Sequence, residues 1–274
     1  MSKKVSTEDR MNSIVVTHEK SPFIFHIPHS STVIPKELED QFCFTPEALE
    51  LETKVMGDLF TDELFEPLAQ IGTSIIAQFS RIACDVERFF DDKEESMSKH
   101  GMGAVYTHSS SKNRIRFDNH DRQTVLEQFY KPHHEAFNQL VNQSLSSHDQ
   151  AIIIDCHSFP SQKRWYEPGY EDDRILPDIC IGTDSCHTPI WLADLMASFF
   201  AERGYSVELD YPFSGSITPL EHYSKSQNVL SVMIEINRKL YMDEHTFQKN
   251  DGFNRILEDI GCLGDILLKN FSFR

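Results

Sequence analysis

Two histidines and a glutamate stand in or just after apolar runs of the sequence, where they could bind a metal ion and move a proton. His29 and His157 each follow an apolar run and precede a serine, and Glu235 lies inside the run Val-Met-Ile-Glu-Ile-Asn. Imidazole nitrogens are common zinc ligands, and a carboxylate near a zinc site can accept a proton from water. A carboxylate in an apolar strand is costly to bury unless it is paired or takes part in chemistry. The combination predicts a metal site with a general base.

Three interpretations of these residues remain open. A single histidine at a strand end is more often a hydrogen-bonded loop residue than a ligand, although its repetition before serine favours a shared role. Ser30 or Ser158 could be the nucleophile of a Ser-His-Asp hydrolase, but neither lies in the Gly-x-Ser-x-Gly turn that usually carries such a serine. A non-catalytic protein that binds a small molecule is the remaining interpretation.

A short segment after the apolar run 73–79 contains two arginines and an aspartate. Arg81 and Arg88 flank Asp85, with apolar residues between them. Because arginine can grip a carboxylate through two parallel hydrogen bonds, the segment predicts an anion clamp with its own counter-charge. A structural ion-pair cluster is an equally good interpretation of the same residues.

Two aspartates fall in a predicted helix and provide a further candidate ligand. A threonine cap followed by proline starts this helix at Pro46, and the apolar spacing predicts that it continues to about Gln70. Asp58 and Asp62 would then lie one turn apart on a shared stripe. Asp62 is expected to face solvent, whereas Asp58 lies between apolar pairs and is the better candidate.

Apolar runs alternate with amphipathic stretches and define the framework. Strands are predicted at 23–28, 73–79, 151–155, 178–182, 205–209 and 229–238, and helices at 46–70, 121–147, 189–203 and 243–270. The last helix is expected to be interrupted near Gly261 and Gly264, and the polar stretch 91–113 to be a long loop. This order predicts an α/β protein with a mixed, largely parallel sheet. In such sheets ligands bind at the carboxyl ends of the strands.

The composition limits the possible partners and the location of the protein. The chain has 274 residues and a net charge of −17, which argues against nucleic acid but permits a small anion held by a few arginines. The six cysteines lack a Cys-x-x-Cys pair, which is typical of reduced thiols in a cytoplasmic protein. No apolar run suits a membrane span. Residues 1–20 are expected to be a flexible lead-in, and residues 21–274 a single domain.

Seven stretches together resemble the N-formylglutamate amidohydrolase (N-formylglutamate deformylase) family. They cover residues 27–35, 58–64, 80–88, 130–134, 155–160, 178–183 and 233–242. They follow the family order from about residue 22 to residue 243, which is most of the chain. The two His-Ser pairs and the Glu-Ile-Asn-Arg sequence are specific in combination, although each motif alone is weak.

This resemblance implies a fold and a chemistry, because the family is similar to zinc carboxypeptidases and aspartoacylase. It implies a three-layer α/β/α fold with a central mixed, largely parallel eight-stranded sheet. It also implies one zinc ion per chain on His29, His157 and a carboxylate, with Glu235 and Arg81 as catalytic residues. The substrate-binding residues expected with them are Arg88, Ser30, Ser158, His134, Asn237, Arg238 and Thr218.

The implied substrate is a small anionic N-acyl amino acid such as N-formyl-L-glutamate, and the implied assembly is a monomer or a small homo-oligomer. Glu235 would take a proton from the attacking water and deliver it to the leaving amine, while Arg81 or Arg88 binds the substrate carboxylate. Asp155, two residues before His157, would orient that ligand, although capping a nearby loop is an equally good role.

Three positions depart from the family pattern. Thr32 stands where the relatives carry a ligand glutamate three residues after the first histidine, so Asp58 is expected to complete the metal site. Glu87 replaces an expected asparagine, and Ser31 stands where glycine is common. These departures make the reaction class a firmer prediction than the identity of the substrate.

Overall fold

The computed structural model describes residues 13–16, 21–167 and 170–271. The strands are β1 Ser13–Val16, β2 Phe23–Ile27, β3 Thr73–Ala77, β4 Ala151–Phe159, β5 Ile179–Gly182, β6 Val207–Leu209, β7 Val229–Asn237, β8 Met242–Asp243 and β9 Gln248–Lys249. The helices are α1 Pro46–Met56, α2 Thr61–Leu64, α3 Arg122–Val125, α4 Lys131–His148, α5 Ile190–Glu202 and α6 Phe253–Asn270. A π-helical turn, Leu126–Tyr130, joins α3 to α4, and short 3-10 helices lie at Lys36–Gln41, Glu66–Gln70, Ser96–His100 and Arg238–Leu240.

The main sheet is mixed and mostly parallel. Its strand order is β1-β3-β2-β4-β7-β5-β6, and β8 pairs with β9 in a separate small ladder. β4 is parallel to β2 and to β7, and β5 is parallel to β6, whereas β5 is antiparallel to β7. The predicted α/β class is therefore confirmed, but the main sheet has seven strands in the described part of the chain instead of eight.

β4 and β7 form the centre of the sheet and are longer than the sequence predicted. Each has nine residues, and all of them are buried. β4 continues to Phe159, so His157 and Ser158 lie within the strand and not in a loop after it. The prediction ended the strand at Asp155 because polar residues follow it; in the structure these polar groups are buried with hydrogen-bond partners.

The helix predicted over 46–70 is broken, and this changes the position of Asp58. α1 ends at Met56, and Gly57 follows it in an extended conformation. The Asp58 amide donates to the carbonyl of His29 at 2.8 Å, and Phe60 has a left-handed φ of 67° before α2 begins. Asp58 therefore lies between two helices, and the predicted stripe shared with Asp62 is wrong.

The chain between 243 and 270 also differs from its prediction. The short strands β8 and β9 come first, and α6 then continues without a break through Gly261 and Gly264. A Cβ atom at Gly264 would lie 3.3 Å from a methyl group of Leu68, so this glycine allows close packing in place of a helix break. The helical prediction over 121–147 is confirmed, with the π-helical turn inside it.

The chain contacts divide the protein into two compact units. The first unit contains residues 13–15, 28–59 and 75–136, including α1, α3 and the segment 80–88. The second contains residues 16, 21–27, 60–74, 137–167 and 170–271, including β2, β4, β7, α5 and α6. Of the predicted lead-in, residues 1–12 and 17–20 lie outside the described residues, and 13–16 form β1. In the described part of the chain, every helix is too short or too polar to cross a bilayer.

Candidate active site

In the first unit, His29 is held between two aspartates. Its side chain is buried, with Nε2 at 2.8 Å from Asp85 Oδ1 and Nδ1 at 3.6 Å from Asp58 Oδ2. Because an ionised carboxylate can only accept hydrogen bonds, Nε2 carries the proton and donates the hydrogen bond to Asp85. The lone pair of the imidazole is then on Nδ1, the nitrogen nearer to Asp58. A carboxylate that fixes one nitrogen while the other binds a cation is the usual arrangement of a metal-ligating histidine.

Asp85 also holds the arginine segment. Its Oδ2 accepts hydrogen bonds from Arg81 Nε at 3.0 Å, Arg81 Nη2 at 2.8 Å and the Tyr106 hydroxyl at 2.9 Å. The Arg88 Nε lies 3.6 Å from the same oxygen. The internal ion pair is therefore present, while the Arg81 and Arg88 side chains remain 14% and 25% exposed. The same residues therefore form an ion-pair cluster and leave part of both arginine side chains accessible to an anion.

The charges around Asp85 determine its ionisation. Burial by itself would raise the pKa of Asp85, but the positive charge of Arg81 and the hydrogen bond from His29 outweigh this effect and hold the pKa well below its usual range. Burial opposes the charge of Arg81 too, but Asp85 raises the pKa of Arg81 well above normal. Burial raises the pKa of Tyr106 to about 12, so its hydroxyl stays protonated and can donate.

His134 contacts the backbone of the arginine segment. Its Nε2 donates to the Val86 carbonyl at 2.9 Å, and its ring stacks on Tyr130 with 4.1 Å between centroids. The Tyr130 hydroxyl donates to the carbonyl of Arg88 at 2.8 Å. His134 thus supports the position of Arg88, and a direct substrate contact for it stays a prediction. Ser30 is half-buried beside His29, and its predicted substrate contact is likewise untested.

In the second unit, Asp155 holds two histidines. Its Oδ1 lies 2.9 Å from His157 Nε2 and 2.9 Å from His26 Nδ1, and its Oδ2 accepts from the Ile217 amide at 3.3 Å. Asp155 therefore makes the contact with His157 that the predicted orienting role requires, and also the contact with a loop amide that the capping role requires. Burial would raise the pKa of Asp155, but His157 and His26 outweigh it and lower that pKa.

His26 was missed in the sequence, as was Tyr106. His26 lies in an apolar strand, where it is buried and stacks on Phe137 with 4.8 Å between ring centroids. The signal that could have found it is the parallel pairing of β2 with β4, which places His26 opposite Asp155. No local pattern marks Tyr106, because its partner Asp85 is 21 residues away in the sequence.

Glu235 lies beside His157 on the neighbouring strand. The two residues are register partners in the parallel ladder of β4 and β7, and Cys180 of β5 is the partner of Glu235 on its other side. Register partners point to the same face of a sheet, as do residues two apart in one strand. Asp155, His157 and Glu235 therefore share one face, with Glu235 8% exposed.

Ser158 belongs to the opposite face of β4, because it follows His157 directly. Its hydroxyl accepts from the Tyr241 hydroxyl at 2.7 Å and from Arg238 Nε at 3.4 Å. The Asn237 amide group donates to the Pro177 carbonyl at 3.0 Å and accepts from the Lys239 amide at 3.2 Å. These contacts give Ser158, Arg238 and Asn237 structural roles, and their substrate contacts stay predictions.

Thr218, one of the predicted substrate-binding residues, has a buried hydroxyl group. It is 7% exposed, and its Oγ1 has no hydrogen-bond partner among the described residues. The preceding residue, Ile217, is tied to Asp155 through its amide. A buried hydroxyl without a partner is costly, so this position favours a polar ligand.

The sheet and these side chains together define an α/β protein with the ionisable groups of a hydrolytic enzyme. A family model described as N-formylglutamate amidohydrolase matches residues 21–242. The chain belongs to this family, which supports an amidohydrolase activity.

Solved structures show the same fold. An N-formylglutamate amidohydrolase from Ralstonia eutropha JMP134 is 22% identical with a TM-score of 0.80, and the match covers 95% of this chain and 98% of that one. A gene product of Agrobacterium tumefaciens is 18% identical with a TM-score of 0.67, over 97% of this chain and 98% of that one. A comparison with curated proteins gives no match.

Proposed function

We propose that the protein is a zinc-dependent amidohydrolase that cleaves the linear amide of N-formyl-L-glutamate or a closely similar N-acyl amino acid. Water and N-formyl-L-glutamate would give formate and glutamate. The family supports the reaction class. The observation that supports a metal most strongly is that His29 and His157 each have one ring nitrogen fixed by a buried aspartate within 2.9 Å.

The zinc ligands in this proposal are His29, Asp58 and His157, which together are a group of side chains able to hold a metal ion. Two imidazoles and a carboxylate with a further open position are a common donor set of catalytic zinc. His29 follows the end of β2 by two residues, and His157 lies in β4, the parallel neighbour of β2. The hydrogen bond from the Asp58 amide to His29 supports the third ligand.

In the mechanism that follows, each side chain has a defined task. A zinc ion on these ligands would polarise the scissile carbonyl and make water acidic enough to attack at neutral pH. Glu235, on the same sheet face as His157, accepts the proton of the attacking water and donates it to the leaving amine. Arg81 takes part in catalysis beside Asp85, and Arg88 binds the substrate carboxylate. The free hydroxyl of Thr218 donates a hydrogen bond to the substrate.

The direct test is a hydrolysis screen on zinc-reconstituted protein. N-formyl-L-glutamate, N-acetyl-L-glutamate and a longer N-acyl glutamate are compared, with formate or the free amine measured. Activity should be highest for the formyl substrate, should be lost to a chelator and should return with added zinc.

Other outcomes lead to the competing interpretations. Chelator-resistant hydrolysis would point to a serine enzyme, and binding of N-formyl-L-glutamate without turnover would point to a binding protein. His157→Ala should remove the zinc, because two protein ligands rarely retain it; full zinc occupancy in that variant would refute the ligand assignment.

A further inference from the structure

Arg116 is fully buried, and among the described residues it binds only neutral groups. Its Nε donates to the Tyr106 carbonyl at 2.9 Å, its Nη1 to Gln41 Oε1 at 2.9 Å, and its Nη2 to the carbonyls of Ala83 and Ile82 at 2.7 and 3.3 Å. Its guanidinium carbon lies 4.2 Å from the centroid of the Phe42 ring.

A buried arginine without a carboxylate partner is a poor source of stability. Removing a cation from water is costly, and neutral acceptors recover only part of that cost. Burial lowers the pKa of Arg116 to about 10, so the side chain is still charged at neutral pH. A gain in stability therefore does not explain the hydrogen bonds of Arg116.

The three carbonyl acceptors of Arg116 lie in the two backbone segments that meet at Asp85. Ile82 and Ala83 stand between Arg81 and Asp85, and the third carbonyl belongs to Tyr106, whose hydroxyl donates to Asp85. The segment 80–88 has no helix or strand, so its buried carbonyls need donors from outside regular structure.

We propose that Arg116 is a positioning residue that fixes the segment 80–88, and with it the Arg81 and Asp85 side chains, in the geometry that binds an anionic substrate. This inference rests on the proposed function for the identity of the anion. The planar guanidinium reaches four acceptors in divergent directions, which the single ammonium of lysine cannot do. Arg116→Lys therefore removes most of the fixed geometry.

The test compares Arg116→Lys with Arg203→Lys in zinc-loaded protein. Arg203 is the control, because it also binds a backbone carbonyl, Phe199 O at 3.3 Å, and stacks on an aromatic ring, with 3.7 Å to the Phe199 centroid. Unlike Arg116, it is 28% exposed and pairs with Asp259. Two quantities are measured: KM and kcat for N-formyl-L-glutamate and for its α-carboxamide, and hydrogen–deuterium exchange of the backbone over 80–88.

We expect Arg116→Lys to raise KM for N-formyl-L-glutamate by about 10- to 100-fold, the range for a binding group misplaced by about 1 Å. The KM of the α-carboxamide, which lacks the α-carboxylate and keeps the γ-carboxylate, should change much less, and exchange over 80–88 should become faster. Arg203→Lys should show neither effect. Equal changes in KM for both substrates, or unchanged exchange over 80–88, would overturn the inference.

Two further outcomes are also decisive. If the wild-type protein hydrolyses no N-acyl amino acid, the proposed function fails, and the exchange comparison alone decides whether Arg116 fixes the segment. If Arg116→Lys does not fold, Gln41→Met replaces it, because Gln41 holds Nη1, and without this acceptor the guanidinium should bind its three carbonyls less firmly. Faster exchange over 80–88 in Gln41→Met would support the inference, and unchanged exchange would refute it.

Discussion

Two buried aspartates each connect a histidine to another part of the site. Asp85 accepts from His29 with one oxygen and from Arg81 with the other. Asp155 joins His157 to His26 and to the amide of Ile217. In both cases a carboxylate fixes the tautomer of a histidine and is itself held by further donors. A substitution at either aspartate should therefore change the orientation of the histidine ring and leave the histidine itself in place.

Asp155→Asn tests this directly. The asparagine has nearly the same shape, but it is neutral and offers one acceptor oxygen where the carboxylate offers two. His157 should be less well oriented, so zinc affinity should fall by about 10- to 100-fold, the usual effect of losing a carboxylate behind a metal-binding histidine. Zinc competition with a chromogenic chelator measures it. Asp259→Asn, which removes a carboxylate that binds Arg203 and Tyr205, is the control, and an equal loss of affinity there would contradict the prediction.

Glu235→Gln separates a catalytic carboxylate from a structural one. The amide is nearly isosteric, so the fold and the zinc should be retained, but it cannot accept the proton of water. Loss of general-base catalysis costs about 10²–10⁴ in rate, so kcat should fall by that factor with a small change in KM. If Glu235 were only a structural partner, its loss from a buried pair should destabilise by about 3–5 kcal/mol. A much lower Tm with near-normal kcat would reject the catalytic role.

At the scale of the elements, long apolar runs were predictable and their ends were not. β2, β7 and α5 were predicted within one or two residues, because apolar residues fill most of each element. β4 was predicted too short, because His157 and Ser158 are polar and their partners come from elsewhere in the chain or from the same strand. Local patterns cannot reveal such long-range satisfaction of polar groups.

The break after α1 was missed because its cause is a contact. The apolar spacing continues through Gly57, but a Cβ there would lie 2.8 Å from the carbonyl oxygen of Thr53 and 3.4 Å from that of His29. Two-residue strands such as β8 are below the length at which an alternating pattern can be recognised. The candidate residues could be found from the sequence for a different reason: His29, His157 and Glu235 interrupt apolar runs, whereas Tyr106 and Arg116 occur in irregular segments without periodicity.

Two glycines differ in their packing and should respond oppositely to alanine. At Gly57 a Cβ would press on the backbone near Asp58, so Gly57→Ala should destabilise by about 1–3 kcal/mol, as overpacking does, and weaken zinc binding. At Gly261, inside α6, the nearest atom would be a carbon of Pro67 at 3.8 Å. Gly261→Ala should therefore stabilise by about 0.5–1 kcal/mol, because alanine favours the helix. Denaturant unfolding measures both changes, and a stabilising Gly57→Ala would show that the chain around Asp58 adapts freely.

At the scale of the whole molecule, the negative net charge and the arginine segment have opposite effects on the binding of the proposed anionic substrate. A net charge of −17 repels an anionic substrate at long range, so binding depends on a local positive field. Arg81 and Arg88 supply this field only in part, because Asp85 neutralises one of the two charges. The buried charge of Arg116 adds to the local field without an ion pair of its own among the described residues.

The reactivity of the cysteines reports on the packing of the molecule, because three are exposed and three are buried. Cys43, Cys186 and Cys262 are exposed, whereas Cys84, Cys156 and Cys180 are buried, and all six are free. Burial raises the pKa of each of the three buried thiols, in Cys180 to about 12. Since the thiolate is the reactive form, these three combine poor access with a small ionised fraction.

Iodoacetamide at pH 8 should therefore label the three exposed cysteines of the native protein and all six after denaturation, as counted by intact mass and located by peptide mapping. Cys180 gives the sharpest comparison, because it is the register partner of Glu235 in the sheet. If Cys180 reacts in the native state as fast as Cys186, then β5 opens readily beside the proposed general base, and the buried environment described for Glu235 is wrong. If only the exposed thiols react, the central sheet is closed to solvent at the strand that carries Glu235.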